Sequence, residues 1–240
     1  MFGVPAQSDF DLRFSVFRIP VRVSPWFWLV SALLCPGSIL QQDARTLVIW
    51  VLCVFVSILI HELGHGLVAK LFGFWPSIAL VGMFGLCDTQ AERQTPWQRI
   101  AVLFGGPGAG LLTYAVLWGG YIGLGRPQLT RVGELTFVFL LEINLYWSLF
   151  NLLLPVIPLD GGRITSEVLS LIFRRNGARY ALVISLIVAA LVAAFMFIQN
   201  QFYMAILFSI FALMSYMQLQ SIYQMARYGS YDSGDDWWKR

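Results

Sequence analysis

Charged side chains are scarce in this chain of 240 residues. Only 12% of its residues are charged, whereas soluble domains carry about 25%. The hydrophobic share is 58% and the mean hydropathy is +0.70. This composition argues against an ordinary soluble protein and predicts a protein that is surrounded by a lipid bilayer. The net charge of +3, without a distinct basic patch, argues against a nucleic-acid partner.

Cysteine is equally scarce. Three are present, at Cys35, Cys53 and Cys87. An odd number argues against a disulfide framework, and their spacing is not that of a metal-binding motif. We therefore predict that they are small core residues.

Long apolar segments fill most of the chain. A helix of about 20 apolar residues crosses a bilayer core of about 30 Å. Six segments have this character: residues 26–40, 47–69, 97–124, 135–157, 180–199 and 202–225. The first is short and is interrupted by Pro36-Gly37. The predicted fold class is an all-α polytopic membrane protein with about six transmembrane helices.

The lysines and arginines give this fold an orientation. If the N-terminus is cytoplasmic, thirteen of the sixteen lie in segments on the inner side, and Arg45, Arg126 and Arg131 lie outside. Because cytoplasmic segments carry the excess of positive charge, both termini are predicted to be cytoplasmic. The predicted domains are a cytoplasmic arm at 1–25, a six-span membrane domain at 26–225 that carries the functional site, and a cytoplasmic tail at 226–240.

Both histidines of the chain lie in one motif, His61-Glu62-Leu63-Gly64-His65, within the second apolar segment. Ionisable groups at membrane depth are functional candidates. On a helix, the two imidazoles lie about 40° apart on one face and can share a metal ion, whereas Glu62 is suited to a water bound to that ion. Chance would produce this pattern in roughly one of six thousand arrangements. A pair of core histidines that joins helices is the alternative, but it does not require Glu62.

A catalytic zinc site usually has three protein ligands. With no third histidine and no suitably spaced cysteine, the third ligand is expected to be a carboxylate. Glu142 lies roughly 24 Å from the cytoplasmic end of its span, too deep to share the metal, and Asp88 lies in a loop without a comparable scaffold. Asp160 follows Pro155 and Pro158, which break the helix and let the chain turn inward. Asp160 is the predicted third ligand.

These residues resemble the site-2 protease family of intramembrane zinc metalloproteases. Its second motif is the more specific one and is matched here by residues 151–162, which begin 90 residues after His61. Weaker similarities lie at residues 17–23, which resemble the family's N-terminal strand and first span, and at Gly105-Gly106-Pro107, which resembles the Gly-Pro turn in its third span. The resemblance covers residues 15–175.

The resemblance implies a function for each of these residues. His61, His65 and Asp160 would hold Zn²⁺, and Glu62 would activate water. The substrate would be a membrane-spanning helix of another protein. We accordingly expect a multi-pass protein of a bacterial or archaeal cytoplasmic membrane, with the lipid bilayer and a membrane-spanning protein substrate as its partners.

One motif residue departs from the family's spacing. The family usually has an asparagine eight residues before the ligand aspartate, where it helps to position the scissile carbonyl or its oxyanion. Here Leu152 occupies that position and Asn151 lies nine residues before Asp160. Asn151 is the predicted oxyanion donor, but Asn144 could serve equally well. An interhelical hydrogen bond is the alternative function for Asn151. The family also often has an asparagine where this chain has Gly110.

The segment 78–86 is apolar and contains Gly82 and Gly85. It resembles the family's membrane-associated β-element, whose edge can pair with an extended substrate. The alternative is an interfacial loop that covers the site. The glycines indicate turns or bulges in either case.

Two other functions use the same residues. Buried His, Asp and Glu side chains can form a metal-ion or proton pathway in a transporter. Transporters usually contain internal repeats, but neither motif occurs twice here. The chain could also be an inactive homologue that binds membrane proteins, which the intact Glu62 disfavours.

Overall fold

A computed structural model of the protein describes residues 9–33, 35, 43–82 and 84–232. This part of the chain is mostly helical and contains one small sheet. Five of its helices are long and apolar enough to cross a membrane. The predicted fold class, an all-α polytopic membrane protein with a small β-element, is confirmed, and the chain is an integral membrane protein.

The chain forms two compact units, residues 1–150 and 151–240. The first contains β1 (Leu12–Val16), β2 (Ile19–Val23), α1 (Pro25–Leu33), α2 (Ala44–Leu71), β3 (Ser77–Val81), β4 (Phe84–Asp88), a 3₁₀ turn (Ala91–Arg93), α3 (Pro96–Gly123) and most of α4 (Arg131–Leu153). The second contains the end of α4, α5 (Asp160–Phe173), a 3₁₀ turn (Arg174–Asn176), α6 (Gly177–Ile198) and α7 (Phe202–Asp232).

The sheet of the first unit has the strand order β1-β2-β3-β4. The pairs β1–β2 and β3–β4 are antiparallel, and β2–β3 is parallel. Alternate residues of β2 (Ile19, Val21 and Val23) are buried, as expected for a strand with one face on a core. That face packs in one cluster with residues of α1, α2 and β3. The predicted β-element at 78–86 is the β3–β4 hairpin, and β4 is an edge strand.

Polar caps fix the beginnings of the two longest helices of this unit. The Asp43 carboxylate accepts a hydrogen bond from the Thr46 N–H at 2.8 Å, before α2. Thr95 and Gln98 cap each other's backbone N–H groups before α3, and Pro96 occupies the first helical position. Such caps satisfy N–H groups that have no partner within the helix. Helix α2 then continues through 28 residues and carries the histidine motif in its C-terminal half.

The predicted spans differ from the helices in three places. The first span is represented by the nine residues of α1, because positions 34 and 36–40 lie outside the described residues. The fourth span, predicted at 135–157, ends at Leu153, since Pro155 cannot continue the helix. The interval between the predicted spans 135–157 and 180–199 contains the short amphipathic helix α5, which a search for long apolar runs does not detect. Parts of the predicted arm (1–8) and tail (233–240) lie outside the described residues.

Candidate metal centre

His61 and His65 point their imidazoles to one location on α2. Both side chains are less than a tenth exposed. Their Nε2 atoms lie 3.3 Å apart, and the rings meet edge to face with centroids 4.9 Å apart. Two nitrogens bound to one tetrahedral zinc ion at 2.0–2.1 Å are separated by about 3.3–3.4 Å. The histidine pair therefore has the spacing of two ligands to one metal ion.

The backbone of α3 fixes the protonation of His65. Its Nδ1 lies 2.7 Å from the Val102 carbonyl oxygen and 3.3 Å from the Gly106 N–H. Because a carbonyl oxygen can only accept, the shorter contact requires Nδ1 to carry the proton and donate it. The lone pair of His65 is then on Nε2, the atom that faces His61. A backbone carbonyl commonly orients metal-binding histidines in this way.

Gly106 of α3 leaves space beside both Nε2 atoms. A Cβ built on Gly106 would overlap His65 Nε2 and would lie 2.8 Å from His61 Nε2. Any larger residue would therefore fill the space that a metal ion needs. The donor set and this space together fit a metal ion.

Glu62 is buried below strand β4, with 6% of its surface exposed. Gly85 of β4 lies against it, and a Cβ built on Gly85 would overlap Cγ, Cδ and Oε1 of Glu62. The strand backbone therefore forms one wall around this carboxylate. Low exposure and a rigid neighbour restrict the positions that the carboxylate can reach.

Cys87 and Asp88 lie on the same strand, and Asp88 was the alternative to Asp160 as third ligand. Burial, followed by the nearby charges of Glu62 and Asp88, raises the pKa of the Cys87 thiol, so that the thiolate is disfavoured. Asp88 is exposed and accepts a hydrogen bond from the Gln90 N–H at 3.0 Å.

Asp160 is the first residue of α5 and is 7% exposed. The two glycines that follow it lie against the preceding segment: a Cβ on Gly161 would lie 2.5 Å from the Leu152 and Leu154 carbonyl oxygens. Asp160 belongs to the second unit, and its role as the third ligand beside His61 and His65 stays a prediction.

The two candidate asparagines differ in their surroundings. The Asn144 amide donates to the Ser57 hydroxyl at 2.9 Å and to the Leu140 carbonyl at 2.8 Å. Both of its N–H groups are therefore used, one of them in an interhelical bond. Asn151 is buried in the last turn of α4. Glu142, which the sequence places deep in its span, is exposed on α4.

The sequence interpretation missed a close contact between α2 and α3. Gly64, inside the histidine motif, approaches Gly105, and a Cβ on Gly64 would overlap the Gly105 carbonyl oxygen and lie 2.7 Å from the Ala109 Cβ. Small residues at such a crossing let two membrane helices approach closely. The signal in the sequence was the glycine pair at 105–106, which we had interpreted only as part of a turn motif.

The sequence of this chain is similar to those of known metalloproteases. The sequence model of peptidase family M50 matches residues 49–129, which include the histidine motif. The predicted resemblance to the site-2 protease family is confirmed.

Individual proteins show the same similarity. The chain is 35% identical over 167 residues to "Putative zinc metalloprotease sll0528" of Synechocystis, covering 64% of this chain and 42% of that protein. It is 30% identical over 188 residues to "Putative zinc metalloprotease Rip3" of Mycobacterium tuberculosis, covering 71% and 46%. The chain thus spans less than half the length of these relatives.

A solved structure has a similar fold. The structure of a site-2 protease from Methanocaldococcus jannaschii aligns with a TM-score of 0.61 at 24% sequence identity, covering 88% of this chain and 95% of that one. At this identity the match concerns the fold.

Proposed function

We propose that this protein is an intramembrane zinc metalloprotease that hydrolyses a peptide bond within or near a membrane-spanning segment of a substrate protein. The observation that carries this proposal is the 3.3 Å separation of the two Nε2 atoms of His61 and His65. Asp160, the buried first residue of α5, is the proposed third ligand. These three residues would hold the zinc ion. When bound, zinc lowers the pKa of water and polarises the scissile carbonyl.

Glu62 is the proposed general base and acid. It follows His61 directly, is buried, and is held beneath β4. Its carboxylate would take a proton from the attacking water and later deliver that proton to the nitrogen of the leaving amine. Groups in this role typically contribute about 10²–10⁴-fold to the rate.

Asn151 is the proposed donor to the oxyanion. Asn151 lies in the segment that resembles the family's second motif, nine residues before Asp160, whereas Asn144 lies outside that segment and connects α4 to α2 through Ser57. A donor of this kind is worth about 2.7–4 kcal/mol in the transition state.

The edge strand β4 supplies a second element of substrate binding. A helical peptide bond is shielded by its own hydrogen bonds, so the substrate has to unwind before hydrolysis. An unwound segment can pair with a free strand edge through main-chain hydrogen bonds. The contact between Gly85 of β4 and Glu62 supports this arrangement, because pairing there would bring the substrate close to the base.

We propose that the site opens towards the cytoplasm and that both termini lie there. Helix α2 ends at Leu71. With Lys70 at the cytoplasmic surface, His61 and His65 would lie roughly 13 and 8 Å below it. A polar channel beside the proline-broken segment after α4 could supply water at that depth. The corresponding organisation is an arm at 1–25, a membrane domain at 26–225 and a tail at 226–240.

The decisive experiment uses Glu62→Gln. This variant keeps the size of the side chain but cannot accept a proton, so it should bind zinc, retain substrate and yield no product in a gel assay. Wild-type cleavage by Glu62→Gln would refute the mechanism. If the protein were a transporter, the wild type itself would bind zinc and cleave none of the candidate substrates.

Metal analysis tests the ligand set separately. The wild type should hold about one zinc per chain, and His65→Ala or Asp160→Ala should lose it, because each removes a ligand. Full occupancy in Asp160→Ala would transfer the role of third ligand to another carboxylate, with Asp88 as the first candidate.

A further inference from the structure

Two serines are completely buried in the last two helices, where the sequence contains no recognised motif. Ser185 lies in α6 and Ser215 in α7, and both are 0% exposed. Their hydroxyl oxygens are 2.7 Å apart. Buried polar groups in membrane helices persist when they are hydrogen-bonded, and they often connect helices.

The hydroxyls continue a chain of hydrogen bonds that begins at the segment before Asp160. The Ile157 N–H donates to Ser185 Oγ at 2.8 Å, and Ser215 donates to the Phe211 carbonyl oxygen at 3.0 Å. Because the Ser215 proton is used in that bond, Ser185 is the donor between the two hydroxyls. Each hydroxyl therefore donates once and accepts once.

Ile157 needs this partner because its segment is not helical. Helix α4 ends at Leu153 and α5 begins at Asp160, so the N–H groups between them lack helical acceptors. A backbone N–H at membrane depth has to be satisfied inside the protein. Local bonds satisfy two neighbours, since Val156 N–H donates to the Leu154 carbonyl and Leu159 N–H to the Val156 carbonyl, both at 2.8 Å. Ile157 N–H is satisfied by Ser185.

The segment is also packed closely against the beginning of α5. A Cβ on Gly162 would lie 2.5 Å from both the Ile157 nitrogen and the Val156 carbonyl oxygen. A displacement of Ile157 is therefore transmitted to the first turn of α5, which carries Asp160. The residue that Ser185 holds, Ile157, lies only three residues before Asp160.

We propose that Ser185 and Ser215 are positioning residues that fix Asp160 for metal binding. On this basis α6 and α7 hold the ligand-bearing segment in place through a pair of hydroxyls. The inference rests on the proposed function, in which Asp160 is a metal ligand.

The first measurement is a zinc titration of the metal-free, full-length protein. Removing a partner that orients a metal ligand commonly lowers metal affinity by about 10–100-fold, and we expect a loss in this range for Ser185→Ala. Ser215→Ala should cause a smaller loss, because Ser185 remains as the acceptor for Ile157. Ser209→Ala is the control: Ser209 donates to the Ala205 carbonyl at 2.8 Å within α7, and its loss should leave the affinity unchanged.

The second measurement is amide hydrogen exchange, which does not depend on metal or activity. Ser185→Ala should accelerate exchange at Ile157 and leave Val156 and Leu159 protected by their local bonds. Wild-type zinc affinity together with unchanged exchange at Ile157 in Ser185→Ala would overturn the inference, as would an equal affinity loss in Ser209→Ala. If the wild type binds no zinc, the proposed function fails, whereas exchange at Ile157 still decides whether Ser185 holds the segment.

Discussion

Gly85 on the edge strand β4 lies directly against the side chain of Glu62 in α2, so that a Cβ at position 85 would overlap three atoms of the glutamate. This contact joins the β-element to the proposed base. It also explains why a residue without a side chain occurs within a strand, where glycine is otherwise unfavourable.

Gly85→Ala should displace Glu62 and reduce cleavage while zinc remains bound. A misplacement of about 1 Å can cost about 10²-fold in rate, and we expect a loss of that order. The measurements are cleavage of a membrane-spanning substrate and zinc content of the purified variant. Wild-type cleavage by Gly85→Ala would show that Glu62 does not depend on this contact.

A double-mutant cycle separates this contact from general damage to the strand. Overpacking typically costs about 1–3 kcal/mol, and Gly85→Ala should lose a similar amount of stability in the wild-type background. In the Glu62→Ala background the overlapping Cγ, Cδ and Oε1 atoms are absent. The cost should then largely disappear from the unfolding measurements. An equal cost in both backgrounds would place the clash elsewhere.

Gly106→Ala should weaken metal binding, because its Cβ would occupy the space beside the Nε2 atoms of His61 and His65. We expect the zinc affinity to fall by at least about 10-fold, the lower end of the range for changes next to a metal ligand. Gly108→Ala is a matched control on the same helix, since a Cβ there would meet nothing within 4 Å. Equal zinc affinities for the two variants would contradict the interpretation of this space.

The histidine pair could be predicted from the sequence because its geometry is local. A separation of four residues on a helix places two side chains on one face, whatever surrounds that helix. The end of α4 is also determined locally, by Pro155. The predicted span extends to residue 157, because the apolar run continues for a few residues beyond the point where the proline ends the helix. Helix α5 was missed because it is short and amphipathic.

Gly64, Gly85 and Gly106 could not be interpreted from the sequence alone. A glycine in a sequence indicates a turn, a bulge or a close approach, and only the neighbouring element decides among these. Each of the three lies against a part of the protein that is distant in sequence: Gly64 against α3, Gly85 against Glu62 of α2, and Gly106 against the imidazoles of His61 and His65. Ser185 and Ser215 were missed for the same reason, since an isolated serine in an apolar span carries no pattern.

Gly64→Ala should destabilise the protein, because its Cβ would overlap the Gly105 carbonyl oxygen and force α2 and α3 apart. The expected cost is about 1–3 kcal/mol, measured by unfolding in detergent. Gly108→Ala should be neutral or stabilising, by up to about 1 kcal/mol, because alanine favours the helix. If Gly64→Ala were as stable as Gly108→Ala, the close crossing would not contribute to stability.

Reporter fusions test the orientation on which access to the site depends. The positive-inside rule predicts a cytoplasmic position for a reporter inserted near Arg175 or fused after Arg240, and an external position for one near Arg131, at the beginning of α4. Activity of a cytoplasm-specific reporter and of a periplasm-specific reporter at each position is the measurement. A cytoplasmic result near Arg131 would mean that α4 crosses the membrane in the opposite direction. With a cytoplasmic N-terminus, the chain would then cross the membrane an even number of times before Arg131, and not three times. The C-terminal end of α2 could then no longer be assigned to the cytoplasmic surface from the charge distribution, and the proposed depth of His61 and His65 would have to be abandoned.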